Sequence, residues 1–235
     1  MDSFALYKKL ITIPFLKIGE VDYLQDLKAA LEKSKLETFY DFKTYSAKAK
    51  KTISFNLDVL SLYDFDENNE NGYTSTTLLS QDKILDFWKP CVPSTLAKEH
   101  ACFQTAIDDF LETPSRCRLS KLPSNEHVLW HAHSYLHSKP LLTEVILHLP
   151  VQASVQVTAE VKDSRGKLYQ THFKEGEVWY LNTWLPHSFN NKSEQDRYHI
   201  WYNAYLTNGE RETINNKLHR LLEDAVKEYQ GPFLR

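Results

Sequence analysis

Residues 176–200 read GEVWYLNTWLPHSFNNKSEQDRYHI, and this stretch carries the pattern that predicts the fold. An apolar and aromatic run at 177–182 is followed by a proline turn, a histidine and a polar loop, and a second such run occupies 197–206. Short runs of aromatic and β-branched residues between polar turns are typical of antiparallel strands. The stretch is therefore predicted to be β-structure.

The same pattern extends back along the chain to Arg116. RCRLSKL alternates at 116–122, and two further apolar segments at 141–151 and 154–161 precede a DSRG turn and a return strand. About seven short strands separated by polar turns indicate an antiparallel sandwich or a jelly roll. The chain is thus predicted to be mainly β.

The flanking regions of the chain have a helical pattern. Apolar residues recur at helical spacing in 20–34 and 99–111, and an amphipathic helix is predicted within 209–231. The length suits one structural domain rather than two. We divide it into a mixed, α-rich N-terminal part at 1–113, a β core at 114–206 and a C-terminal helix at 207–235.

Composition argues against several classes of protein. The 235-residue chain is 42% hydrophobic and 25% charged, which is typical of a globular protein, and its net charge is −3. No basic excess is present to hold phosphates, so we expect no nucleic-acid partner. No apolar run reaches the roughly 20 residues of a membrane helix, so we expect no membrane partner. Three cysteines without a CxxC motif, and an N-terminus unlike a signal peptide, predict a cytoplasmic location.

The histidines are concentrated in one part of the chain, and their spacing predicts a metal site. Eight of the ten lie between His127 and His199. His131 and His133 fall at the end of a predicted strand, where alternate side chains share a face. A third histidine, His187, follows the turn at 183–186. Imidazole groups suit Fe, Zn, Cu or Ni, so three of them on β-structure indicate a metal centre.

An arginine accompanies the third histidine. If His187 and Arg197 lie on neighbouring antiparallel strands joined by NNKSEQD, both side chains face one cavity. A buried arginine beside a metal needs an anionic partner, and a bidentate anionic ligand satisfies its planar fork. The pair therefore predicts a site for a metal and an anion together.

These residues resemble the aspartyl/asparaginyl β-hydroxylase family of Fe(II)- and 2-oxoglutarate-dependent oxygenases, over about residues 114–206. The family pattern is Gly-x-x-Trp-x-x-Asn, then His-x-x-x-Asn, then Arg-x-His. An upstream family motif matches SKLPSNEHVLWH at 120–131. The matching positions of the main pattern are Gly176, Trp179, Asn182, His187, Asn191, Arg197 and His199.

The resemblance implies a double-stranded β-helix core (jelly roll, cupin-like) flanked by helices, with 114–206 as the catalytic part. It implies a dioxygenase that uses Fe(II), 2-oxoglutarate and O2 to hydroxylate a C–H of an amino acid, small molecule or peptide side chain. His131 and His187 would be the catalytic iron ligands. Arg197 would bind the distal carboxylate of 2-oxoglutarate with Ser120 as its hydroxyl partner, and His148 would lie near the cosubstrate.

Two positions depart from the family pattern. Many members carry His-x-Asp, whereas the third position here is His133. His133 either binds the metal, which gives a three-histidine centre, or turns away and leaves the position to water. The family often has an arginine two residues before the His148 position, and here that residue is Ile146. The grip on the second carboxylate of 2-oxoglutarate therefore differs from the family pattern.

Other functions fit the same histidines. They suit a zinc-dependent hydrolase with an activated water, or a three-histidine dioxygenase of the cupin type that needs no 2-oxoglutarate. A non-catalytic jelly-roll binding module is a third alternative, and Glu144 is an alternative carboxylate ligand. Iron-dependent formation of succinate from 2-oxoglutarate separates the first function from the others. Four aromatic residues either pack in the core or wall a dry pocket: Trp130, Trp179, Tyr180 and Trp184.

Overall fold

The structure, a computed structural model, describes residues 1–35, 37, 39–46, 51–64, 91–133, 144–207 and 213–234. The first half of the chain contains α1 (Ser3–Leu10), β1 (Phe15–Glu20), α2 (Leu24–Ser34), β2 (Tyr40–Ser46), β3 (Lys51–Asp64), β4 (Val92–Pro93), α3 (Thr95–Glu99) and α4 (Ala101–Asp108). The second half contains β5 (Cys117–Leu122), β6 (Glu144–Gln152), β7 (Val157–Lys162), β8 (Leu168–Thr171), β9 (Glu177–Leu181), β10 (His187–Asn191), β11 (Arg197–Tyr205) and α5 (Asn216–Glu228).

The strands form two sheets. The larger has eight strands in the order β1-β9-β6-β11-β5-β3-β2, with β4 paired to β3, and the smaller has the order β10-β7-β8. Residues 127–131 extend the smaller sheet through single bridges to β10. Thus β5, β11, β6 and β9 face β8, β7, β10 and this segment, which is the strand arrangement of a double-stranded β-helix. The predicted jelly-roll fold with flanking helices is confirmed.

Two apolar cores lie on either side of the large sheet. The outer core contains residues of α1, α2, α4 and α5 packed on the sheet, and the inner core lies between the two sheets. Every residue of β11 is buried, because this strand lies between β5 and β6 with both faces covered. Among the described helices, none is long and apolar enough to span a membrane.

The N-terminal part of the chain belongs to the large sheet. β1 pairs with β9, and β3 pairs with β5. The β pairing thus continues across the predicted boundary at residue 113, although α2 and α4 fall within the predicted helices. The three-part division stays a prediction. The C-terminal helix begins at Asn216, and residues 208–212 of its predicted range lie outside the described residues.

Two local predictions about the site strands are wrong. β10 and β11 are consecutive but do not pair, because the connection at 192–196 crosses from the small sheet to the large one. Both edges of β11 are already occupied by β5 and β6, so β10 pairs with β7 instead. Nor does the segment at 131–133 form a regular strand, since only His131 bridges to β10 there.

Candidate metal centre

Three histidine side chains converge between the two sheets. His131, His133 and His187 each offer a ring nitrogen, and these atoms lie within 4.8 Å of one another. The ring centroids of His131 and His187 are 4.2 Å apart, and that of His133 is 5.5 Å from His131 and 5.2 Å from His187. The three histidines named from the sequence thus form one cluster of ligating type.

Backbone hydrogen bonds hold this histidine cluster together. The amide of His131 donates to the carbonyl of His187 at 3.2 Å, and the amide of His187 donates back at 2.9 Å. The amide of His133 donates to the carbonyl of Thr183 at 2.9 Å. The side chains therefore converge through pairing with the β9–β10 region, and not through the alternation of a regular strand.

The ring orientations of two histidines leave one nitrogen of each ring available to a metal. His131 Nδ1 lies 2.7 Å from the carbonyl oxygen of Leu129, and His187 Nδ1 lies 3.0 Å from that of Leu185. A carbonyl only accepts hydrogen bonds, so Nδ1 carries the proton in both rings. Each Nε2 then keeps its lone pair, and this backbone bond is the usual way to set the tautomer of a metal ligand.

Burial keeps these two imidazoles neutral. Burial lowers the pKa of His131 to about 4, with a smaller contribution from nearby His133. The pKa of His187 lies well below its ordinary value, mainly because of burial and then because of His131. A histidine must be neutral to bind a metal, so the ligand lone pairs are available at neutral pH.

The third histidine of the cluster faces a buried carboxylate. His133 Nδ1 lies 3.7 Å from Glu144 Oε2 at the start of β6. Glu144 is held by its other oxygen, Oε1, which accepts from Asn203 Nδ2 at 2.8 Å and from the Tyr205 hydroxyl at 3.3 Å. Glu144, considered as a ligand from the sequence, is not a member of the cluster of ligating nitrogens.

The histidine cluster lines a pocket between the two sheets that is partly open to solvent. Its walls are mostly apolar, and none of the four aromatic residues considered as wall residues from the sequence lines it. Trp130 is 37% exposed, Trp179 stacks on Phe173, and Tyr180 belongs to the outer core. The main apolar wall residues are Phe55, Leu57, Val128, Ile146, Phe189 and Trp201.

Phe55 is a site residue that the sequence analysis missed. It lies on β3, and its ring centroid is 4.6 Å from that of His131. The signal was present, since Phe55, Leu57 and Val59 alternate with polar residues and all three are buried in the inner core. The helical spacing at 20–34 and 99–111 is the dominant pattern of the N-terminal part, and this strand was not predicted.

Arg197 is buried behind the cavity wall, at 1% exposure. Its Nη1 donates to His199 Nδ1 at 2.7 Å, and its guanidinium lies 4.2 Å from the ring centroid of Phe189. Both neighbours line the cavity. No described residue is a hydrogen-bond partner of Nη2, and burial lowers the pKa of Arg197 to about 9. This side chain therefore has unused donor capacity and an unneutralised charge.

Two further polar side chains lie in the same row of the large sheet. Ser120 on β5 is opposite His199 on β11, and the ring centroid of His148 on β6 is 5.1 Å from that of His199. Within the part of the chain that the structure describes, the Ser120 hydroxyl and both ring nitrogens of His148 have no hydrogen-bond partner, and no hydrogen bond joins Ser120 to Arg197. Burial, followed by the charge of Arg197, lowers the pKa values of both histidines well below their ordinary range.

Buried polar atoms are normally hydrogen-bonded, so a group of them without partners indicates a ligand site. The guanidinium Nη2 and the Ser120 hydroxyl are hydrogen-bond donors, and a neutral imidazole offers one donor as well. An anionic ligand with several acceptor oxygens matches this set. The residues present therefore fit a carboxylate-bearing cosubstrate beside a metal held by imidazoles.

Two asparagines of the sequence pattern hold the surrounding loops. Asn182 Nδ2 donates to the carbonyls of Ile11 and Ile13, at 2.9 and 3.2 Å, and so ties β9 to the start of the chain. Asn191 Nδ2 donates to three carbonyls around the β10–β11 turn and the end of β5: Leu122, Pro123 and Gln195. These residues support the framework of the site from outside the cavity.

Fold and site together define a jelly-roll protein with a histidine cluster of metal-binding type. No protein-family model matches the chain, and no curated protein matches it. Solved structures, in contrast, do match the chain. A prolyl hydroxylase from Trichoplax adhaerens, in complex with a hypoxia inducible factor peptide fragment, matches at a TM-score of 0.51 and 10% identity, over 88% of this chain and 91% of that one.

Other similar structures are of the same broad kind. An oxidoreductase of the 2OG-Fe(II) oxygenase family from Burkholderia pseudomallei matches at a TM-score of 0.48 and 12% identity, over 92% and 94% of the two chains. A cupin domain from Bordetella pertussis matches at 0.28 and 12% identity, over 38% and 79%. At 10% identity the match to the prolyl hydroxylase shows likeness of fold alone, and the chemistry has to be argued from the site.

Proposed function

We propose that this protein is an Fe(II)- and 2-oxoglutarate-dependent oxygenase that hydroxylates a C–H of an amino acid, small molecule or peptide side chain. We further propose that it is of the aspartyl/asparaginyl β-hydroxylase type. One observation carries the proposal. Three imidazoles converge on a cavity whose wall contacts Arg197, a buried arginine with an unused Nη2 donor.

The histidine cluster suits a divalent iron. His131 and His187 would bind it through Nε2, because their Nδ1 atoms are engaged with backbone carbonyls. His133 would be the third ligand. When bound, iron supplies the O2 chemistry that the side chains themselves cannot perform. The protein holds the ion, orients the two substrates and limits the access of water.

Arg197, Ser120 and His148 would hold the cosubstrate. In this proposal the distal carboxylate of 2-oxoglutarate accepts from Arg197 Nη2 and the Ser120 hydroxyl, which are two of the buried donors without a hydrogen-bond partner among the described residues. Neutral His199 accepts from Nη1 and fixes the guanidinium plane. Ile146 lines the cavity where the family often has an arginine, so the other end of the cosubstrate would depend on the metal.

The apolar walls serve the same chemistry. Phe55, Phe189 and Trp201 surround the cavity beside the cluster. Excluding water from such a site strengthens each electrostatic contact inside it and prevents side reactions of the bound reactants.

A three-histidine dioxygenase of the cupin type is a second candidate, because His133 stands where the family has a carboxylate. Such an enzyme would consume O2 without 2-oxoglutarate. It also gives no role to Arg197, whose unused donor is then left unexplained.

The deciding experiment is anaerobic loading with Fe(II), followed by addition of 2-oxoglutarate and then O2. We expect succinate to form in proportion to the O2 consumed, and to form faster with the right amino acid or peptide in a substrate panel. Oxygen uptake independent of 2-oxoglutarate would identify the cupin-type enzyme. Hydrolysis with Zn(II) would identify a hydrolase, and tight 2-oxoglutarate binding without succinate would identify a binding module.

A further inference from the structure

The buried carboxylate behind His133 is the feature of the site that neither the motif nor the proposed cosubstrate uses. Glu144 is 3% exposed and lies at the first position of β6. Its Oε1 is fixed by Asn203 and Tyr205, both on β11, while its Oε2 points to the His133 ring, 3.7 Å from Nδ1. Four elements of the chain thus hold one carboxylate next to one histidine of the cluster: β6, β11, the backbone at Thr183 and the segment at 131–133.

The position of Glu144 matters because the histidine cluster itself carries no negative charge. Three imidazoles are neutral ligands, so they leave the full charge of a divalent ion uncompensated, whereas a carboxylate ligand would cancel part of it. A metal-binding histidine commonly gives its other ring nitrogen to a carboxylate, which fixes the ring and raises its basicity. Glu144 has the position and the charge for that role.

We propose that Glu144 is the outer carboxylate of the metal centre: it holds the His133 ring as a metal ligand and acts on the ion through that ring, in place of the carboxylate ligand that the third position lacks. Glu144 is then a positioning residue, not a ligand. This inference rests on the proposed metal centre, and it does not depend on the identity of the substrate.

The first test measures metal binding and not turnover. We expect Glu144→Gln, which keeps the shape and the bonds from Asn203 and Tyr205, to weaken Co(II) binding by about 10- to 100-fold. Binding is followed through the visible absorption of Co(II), and the Tm of the metal-free protein is recorded alongside as a measure of folding. Glu160→Gln is the matched control, since Glu160 is also a buried carboxylate but bonds to Gln170 in the small sheet. It is expected to bind Co(II) as the wild type does.

A second set of variants tests whether Glu144 acts through His133. In a His133→Ala background, Glu144→Gln is expected to change Co(II) affinity by less than about threefold, because the intermediary is gone. In the double variant His133→Asp, Glu144→Gln, the charge has moved into the ligand position, and we expect affinity to return to within about threefold of the wild type.

Several results would overturn the inference. Equal Co(II) affinity of Glu144→Gln and wild type would do so, as would an undiminished effect of Glu144→Gln when His133 is alanine, which would make Glu144 an independent contributor. If Glu160→Gln weakens binding as much, the effect is one of general charge. Absence of any metal binding by the wild type rejects the proposed function itself, whereas normal wild-type binding with an inert Glu144→Gln rejects this inference alone.

Discussion

Replacing Arg197 by methionine should change stability and cosubstrate binding in opposite directions. Burial lowers the pKa of Arg197 from its ordinary 12.5 to about 9. At 1.36 kcal/mol per unit, this corresponds to a cost of about 5 kcal/mol for keeping the charge inside the metal-free protein. Methionine has a similar length and carries no charge. The free energy of unfolding typically rises by about 1–4 kcal/mol when buried charges are replaced by well-packed apolar groups.

The same substitution should remove the proposed contact between the Arg197 guanidinium and the distal carboxylate of 2-oxoglutarate. A desolvated charge contact of this kind is worth about 2–5 kcal/mol, or roughly 30- to several-thousand-fold in affinity. The two assays are urea unfolding without ligand and calorimetric titration of 2-oxoglutarate into Mn(II)-loaded protein under anaerobic conditions. Arg165→Met, in the exposed turn after β7, is the control for the loss of one positive charge.

The expected pattern is therefore a more stable Arg197→Met protein with little or no 2-oxoglutarate binding. A variant that loses several kcal/mol of unfolding free energy would mean that the guanidinium already has a compensating partner. A variant that keeps the wild-type Kd for 2-oxoglutarate would mean that another residue holds the cosubstrate, and the proposed role of Arg197 would be wrong.

Three further predictions concern metal, pH and stability. His131→Ala and His187→Ala should each lose bound Fe(II) or Mn(II) by elemental analysis while keeping the fold, whereas the peripheral His172→Ala keeps its metal; retention in both site variants would reject the centre. Burial lowers the pKa of His148, so below pH about 6.5 the unfolded chain takes up a proton that the folded chain does not. This residue should then lower the free energy of unfolding of the metal-free protein by about 1.4 kcal/mol for each unit that the pH falls below that value. Measured by urea unfolding between pH 7 and 5, the unfolding free energy of His148→Leu should depend less steeply on pH, by that amount. An unchanged pH dependence would contradict the assignment. Asn182→Ala should cost about 1–3 kcal/mol in denaturant unfolding, because the buried carbonyl of Ile13 and the part-buried carbonyl of Ile11 lose their donor; a cost well under 1 kcal/mol would show that those carbonyls find other partners.

Local pattern alone was sufficient for the strands from β5 onward. Most of these strands are runs of aromatic and β-branched residues between polar turns, and this composition indicates β-structure before any strand partner is known. The sequence also indicated that His131, His187 and Arg197 are site residues, because their order and spacing match a family motif. Their metal-binding and cosubstrate-binding roles stay predictions.

Tertiary structure decided how these pieces meet. The aromatic and apolar sequence of β11 indicates a buried strand but does not show which strands it pairs with. The polar loop between β10 and β11 crosses from one sheet to the other instead of closing a hairpin. Phe55 contacts the histidine cluster from a strand more than 70 residues before His131, and no local signal links the two. Glu144 could be considered as a ligand from the sequence, but its place beside the His133 ring is decided by the fold. Pairing and side-chain contact across a sandwich depend on which surfaces exclude water together, and that is a property of the whole folded chain.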